Sequence, residues 1–148
     1  MPLDPSLAGK QYPVRPPYEV SREKIREFAD AIGAPDAAYR DPDAAKALGH
    51  PDVIAPPTFP VVFTAAIETL VGDVELGLDF ARVVHGDQKF TYHRPVRAGD
   101  RLVAHNSIDE IMSRVGNDFI TVRSEIFTAE GEPVVTISCR LVVRGEDS

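Results

Sequence analysis

The sequence predicts an α+β domain in which an antiparallel sheet wraps around a central buried helix. Three observations carry this. In "TFPVVFTAAIETLVG", residues 58–72, only Thr64, Glu68 and Thr69 are polar between Thr58 as a cap and Gly72 as a stop. A helix over 59–71 that is apolar nearly all round is one surrounded by protein. Downstream, from about residue 83 to 143, the chain alternates apolar and polar side chains with period two, as half-buried strands do. Finally, 148 residues suit one domain with a sizeable core, and no repeat or low-complexity stretch divides 1–148.

The elements follow in order. Prolines at 13, 16 and 17 bias the residues before them toward extended backbone. Ser21 is placed to cap a helix whose apolar face is Ile25, Phe28, Ala29 and Ile32, with Gly33 at its end. Asp41 caps a second short helix with Pro42 at its first position and Gly49 just beyond it. "HPDVIAPPT" is turn-rich and leads to the apolar helix, with Pro60 in its first turn.

In the strand region, Phe90 and Tyr92 alternate with Lys89, Thr91 and His93, and "RAGD" at 97–100 makes a turn. Leu102, Ala104, Ile108 and Met112 then share a parity that Asn106 and Glu110 interrupt. Ile120, Val122 and Ile126 share one side of the following strand. After the turn "AEGEP", Val135, Ile137, Cys139, Leu141 and Val143 line one face of the last strand.

Charge and composition exclude several functions. Sixteen Lys and Arg against 23 Asp and Glu give a net charge of −7, the wrong sign for a nucleic-acid surface. One cysteine, Cys139, excludes an internal disulfide framework and fits a reducing cytoplasm. The N-terminus has no apolar run behind positive charge, and no stretch nears the ~18 apolar residues of a membrane span. A cytoplasmic protein with no membrane partner is therefore expected. Four scattered histidines show no metal-ligand spacing, and no glycine-rich phosphate loop is present, so neither metal nor cofactor is expected.

Three pieces of the chain, "YEVSREKIREFADAIG", "YRDPDAAKALGHPDVIAPPTF" and "VVHGDQKFTYHRPVRAGDRL", have a familiar order and spacing over roughly residues 10–105. In them the chain resembles the MaoC-like hot-dog family, and most of all the small actinobacterial subunits of (3R)-hydroxyacyl-thioester dehydratases. The resemblance implies a single hot-dog domain, an acyl-CoA or acyl-carrier-protein thioester as ligand, and a dimer formed along the strand near 83–93. In active members the loop after the first helix reads approximately Gly-Asp-x-Asn-Pro-x-His. Dehydration removes a proton from C2 and hydroxide from C3, so it needs an acid–base pair within hydrogen-bond reach. Backbone N–H groups at the start of the buried helix can polarise the thioester carbonyl.

Carried over position by position, Gly33 matches the glycine, but Ala34 stands at the aspartate and Tyr39 at the histidine. Asp36 holds the asparagine position, and Arg40 and Asp41 continue the pattern. Alanine moves no proton, and a phenol with an ordinary pKa near ~10 is a very poor base at neutrality. The loop therefore reads as a retained scaffold without its acid–base pair. Tyr39 either lines an acyl tunnel or plugs the loop, and Asp36 is a displaced base or a turn residue. His85, in "VHGDQ", is a fallback proton carrier or a structural contact. His50, His93 and His105 are weaker candidates. Tyr39, Pro57, Thr58 and Phe59 are the expected substrate-binding residues.

Three functions fit. The first is an acyl-holding subunit, inactive alone, whose catalytic pair comes from a second hot-dog chain. The second is an active homodimer using a nonstandard pair drawn from Tyr39, Asp36 and His85. The third is a non-enzymatic acyl-thioester-binding module.

Overall fold

The computed structural model describes residues 2–145. Five antiparallel strands form one sheet: β1 (Tyr18–Glu19), β2 (Val83–Tyr92), β3 (Arg101–Arg114), β4 (Asn117–Thr128) and β5 (Pro133–Val143), in spatial order β1-β3-β4-β5-β2. Three short helices, α1 (Arg22–Ala31), α2 (Pro42–Ala47) and α3 (Ala66–Val71), precede or interrupt the strands.

The local rules read from the sequence place the first two helices. The Ser21 hydroxyl accepts from Lys24 N–H, and Gly33 follows α1 at φ 70°, a conformation that favours glycine. Ile25 and Ala29 are fully buried, whereas Ile32 lies past the helix end and is half exposed. The Asp41 carboxylate accepts from Asp43 N–H, and Pro42 opens α2 as expected.

The apolar segment departs from the expected single helix. It is a 3-10 turn over Phe59–Val62, a break, and then α3. At the break Ala65 sits at φ 53°, ψ 29°, a left-handed conformation that ends one helical stretch before the next begins. The cause is visible in the hydrogen bonds. Asn106 on β3 donates its amide to the Thr64 carbonyl at 2.9 Å, taking the acceptor that a continuous helix would offer to Glu68. β-Branched Val61, Val62 and Thr64 add little helix propensity to resist this. Nor is the segment covered all round, since Val61 is 44% exposed. Thr58 makes no side-chain capping bond, against expectation.

The break divides the interior in two. Phe59, fully buried, packs with Ile25, Val53, Leu102, Ile126 and Val135. Leu70, also fully buried, packs with Ile108, Ile120, Val122 and Leu141. Each such side chain contributes about 1.5–3 kcal/mol on leaving water. At the level of the break stands a polar group: the Ser124 hydroxyl donates to Asn106 Oδ1 at 2.5 Å while Asn106 holds Thr64.

The strand parities hold on β4 and β5, where Ile120, Val122, Ile126 and Val135, Ile137, Cys139, Leu141, Val143 all face inward. On β3 they hold only to Ile108. A bulge at Asp109 shifts the register, so Ile111 rather than Met112 is the buried residue.

Candidate functional site

One cavity lies where Pro57 leads into the broken segment, and another lies against the segment itself. The loop-side cavity, about 350 Å³, is walled by Tyr39, Ile54, Ala55, Pro57, Tyr92 and His93, with Arg94 and Pro95 at its back. The sheet-side cavity, about 340 Å³, lies between Val61–Glu68 and the inner faces of His85, Gln88, Ser124, Ile137 and Cys139.

The loop between α1 and α2 is tightly built. Gly33 closes α1, and Ala34 N–H donates to the Ala29 carbonyl at 2.8 Å. The Asp36 carboxylate accepts from Ala38 N–H at 3.2 Å, starting the 3-10 turn Ala37–Tyr39. Arg40 reaches back with two nitrogens to Asp30 Oδ1, at 2.7 and 3.2 Å, and with a third to the Asp36 carbonyl at 3.0 Å. Ile54 N–H closes on the Ala38 carbonyl at 3.1 Å. These bonds present Tyr39 to the cavity and hold Asp36 at the surface as a turn former.

Opposite Tyr39, Tyr92 donates its hydroxyl to the Pro57 carbonyl at 2.5 Å. Burial raises its phenol far above the ordinary value, so the proton stays on oxygen. Arg94 makes a two-pronged bond to the buried Asp100, at 2.9 and 3.0 Å, which fixes the turn behind the cavity. Of the groups on this wall, His93 is the one imidazole, and it is exposed to solvent.

The start of the apolar segment offers few donors. Prolines 56, 57 and 60 have none, Phe59 N–H is bonded to the Pro56 carbonyl at 2.9 Å and Val61 N–H to the Thr58 carbonyl at 3.2 Å. Thr58 N–H is left without an acceptor among the described residues, and Thr58 itself is exposed. Of the expected substrate-binding set, Tyr39 and Pro57 share the loop-side cavity. Phe59 is a core residue, edge-on to Phe28 with ring centroids 5.5 Å apart.

His85 is elsewhere. It faces inward from β2 into the sheet-side cavity, where its Nε2 lies 3.2 Å from Cys139 Sγ. Tyr39 and Asp36 are thus not joined by His85 within this chain. Sequence reading missed two pairings, Tyr92 with Pro57 and His85 with Cys139. Only the shared inward parity of Phe90 and Tyr92 hinted at the first. His50 and His105 line neither cavity, and His105 stacks edge-on with Phe127 at 5.4 Å. Among the described residues no group of His, Cys, Asp and Glu is arranged to hold a metal, and no helix is long and apolar enough to cross a membrane.

Known proteins are similar to this chain in sequence and fold. The family described as "FAS1-like, dehydratase domain region" matches residues 6–137. The UPF0336 protein of Saccharopolyspora erythraea is 58% identical over 146 residues, covering 98% of this chain and 94% of that one. Among solved structures, the HadBC (3R)-hydroxyacyl-ACP dehydratase complex of Mycobacterium tuberculosis superposes with a TM-score of 0.78 and 32% identity, over 92% of this chain and 96% of that one. A MaoC-like dehydratase gives a TM-score of 0.85 at 32% identity, over 96% of this chain but 43% of that longer one. By the family match over residues 6–137 and these relatives, the chain belongs to the FAS1-like dehydratase-region family of MaoC-like hot-dog proteins, alongside the actinobacterial UPF0336 proteins.

Proposed function

We propose that this chain is the acyl-holding half of a (3R)-hydroxyacyl-thioester dehydratase or hydratase, with the acid–base pair supplied by a second hot-dog chain. The observation that carries the reading is the loop itself. Its fold is kept by the Arg40 bonds to Asp30 and Asp36, yet the positions that the family resemblance assigns to acid and base hold Ala34 and Tyr39, and Asp36 is spent on a turn. Such a loop shapes a wall and moves no protons. The outer edge of β2, bare among the described residues, and the cavities at Pro57 and along the broken segment suit a subunit that holds a chain and joins a partner. That the related HadBC dehydratase is a complex supports the pairing, and the MaoC-like relative is long enough for two units of this size.

The test is hydration of a crotonyl thioester by the purified chain alone. The expected result is near-background turnover, because each missing general acid or base forfeits roughly 10²–10⁴-fold. Addition of a hot-dog chain with an intact Asp/His loop restores activity. The double change Ala34→Asp with Tyr39→His raises the activity of the lone chain, since the frame around both positions is intact. Strong wild-type activity that survives Tyr39→Phe and Asp36→Asn overturns the reading. His93 is then the group to replace next, because it shares the cavity with Tyr39 whereas His85 does not.

A further inference from the structure

The sheet-side cavity has a wall unlike that of a plain hydrocarbon sleeve. Val61, Ala65, Ala66, Ile67 and Ile137 are apolar, but polar groups stand among them. Thr64 is only 8% exposed, and its hydroxyl has no hydrogen-bond partner among the described residues. Gln88 faces inward beside Cys139, and its amide also has none. His85 uses Nε2 toward Cys139 Sγ, which leaves Nδ1 unengaged. Ser124 and Asn106, by contrast, satisfy each other and the Thr64 carbonyl.

Among the described residues no side-chain polar atom is both fully buried and unpaired; these groups are open to the cavity, and a ligand that displaces water from them is disfavoured unless it offers them a partner. The Cys139 thiol, pushed up to about 11 by burial and by the charge of Asp87, keeps its proton. In the tautomer whose Nε2 accepts from that S–H, His85 offers Nδ1–H to the cavity as a donor. A hydroxyl, an amide and an imidazole N–H then converge on one cavity.

From this we infer, resting on the acyl-holding reading above, that the sheet-side cavity takes a chain bearing an oxygen function, a hydroxyl or a keto group, away from the thioester and its reacting carbons. Thr64, Gln88 and His85 recognise that oxygen, and Val61, Ala66 and Ile137 hold the hydrocarbon around it. A site built to hydrogen-bond a ligand oxygen rejects the analogue that lacks it more strongly than an apolar pocket rejects an added methylene.

The experiment is calorimetric titration of the full chain with octanoyl-, decanoyl- and dodecanoyl-CoA, each beside hydroxy and keto analogues substituted toward the far end of the chain. At the fitting length the oxygenated chain binds about tenfold tighter or better, the equivalent of one well-made hydrogen bond. Thr64→Val with Gln88→Leu erases the preference and leaves the plain chain bound at least as tightly. Should the double variant fail to fold, Gln88→Leu alone, at a partly exposed position, reduces the preference. Equal affinities for plain and oxygenated chains at every length overturn this inference while leaving the acyl-holding reading intact. Binding of none of them overturns both.

Discussion

The two edges of the sheet are treated in opposite ways. The outer edge of β3 is covered twice. Tyr18 and Glu19 pair with Leu102 and Arg101, and further along Gly9 N–H donates to the Ile108 carbonyl at 2.7 Å, Ile108 N–H to the Lys10 carbonyl at 2.9 Å and Tyr12 N–H to the Asn106 carbonyl at 3.0 Å. This N-terminal strap is then clipped down. Lys10 and the Tyr12 hydroxyl both reach Asp73 Oδ2 at 2.7 Å, just beyond α3. The outer edge of β2, ten residues long, has no strand beside it among the described residues. An open edge of that length is a template for another strand, and natural sheets cover such edges or use them. Here one edge is covered by the chain's own N-terminus, and the other is the place we assign to a partner.

The largest effect that sharpens this contrast comes from deleting residues 2–12. The deletion removes the three strap bonds, buried Leu3, and the Leu3 N–H that donates to the Asp118 carboxylate at 3.0 Å. Denaturant titration is expected to show a loss of about 3–5 kcal/mol, together with new aggregation through the uncovered β3 edge. Equal stability with and without the strap would show that it merely lies on the edge.

Next is association. Phe80, 62% exposed, and Val84, 42% exposed, flank the start of β2. Light scattering at micromolar concentration is expected to give a dimer mass, and Phe80→Glu with Val84→Glu to weaken the dimer tenfold or more without changing the circular dichroism. A monomeric wild-type chain with its fold intact breaks the assignment of the bare edge.

A smaller effect tests the clip. Burial opposes the charge on Asp73, but the hydrogen bonds from Lys10, Tyr12 and the backbone N–H groups of Leu76 and Glu75 outweigh it and hold the carboxyl at about 2. The folded value lies below the unfolded one near ~4, so this stabilisation is present above about pH 4 and is lost as pH falls toward 2. Thermal unfolding in that window should steepen for the wild type and flatten for Asp73→Asn, which at neutral pH costs about 1–3 kcal/mol. The smallest effect comes from Arg101→Gln. Its 3.8 Å contact with Glu19 is exposed on both sides, so a change below about 0.5 kcal/mol is expected, and the β1 pairing then rests on backbone bonds.

Legibility in the sequence followed the range of the interactions. α1 and α2 were readable because their caps, Ser21 and Asp41, act over two or three residues. β4 and β5 were readable because an unbroken parity faces one core. The break after Val62 was not, because its cause is Asn106, 42 residues away. The Asp109 bulge hides because Met112 is as apolar as the Ile111 that replaces it inside. At the site, the turn made by Asp36 follows a local rule, since its carboxylate bonds only two residues on. The walls of the site could not be read, since Tyr92 meets Pro57 across 35 residues and Cys139 meets His85 across 54.

The strand order β1-β3-β4-β5-β2 also dictates a timetable for synthesis. β2 leaves the ribosome about fifty residues before β5, its sole neighbour in the sheet, and the strap waits still longer for β3. The hairpins β3–β4 and β4–β5 close over short loops and need no other part of the chain, so they form the early structure. β2 is then expected to dock on the finished β5 as the last long strand added, so the edge we assign to a partner is absent until β5 exists. Until β2 docks, the outer edge of β5 is itself uncovered, so the half-made sheet carries a different open edge from the finished one, and the edge assigned to a partner comes into being only at the end of folding.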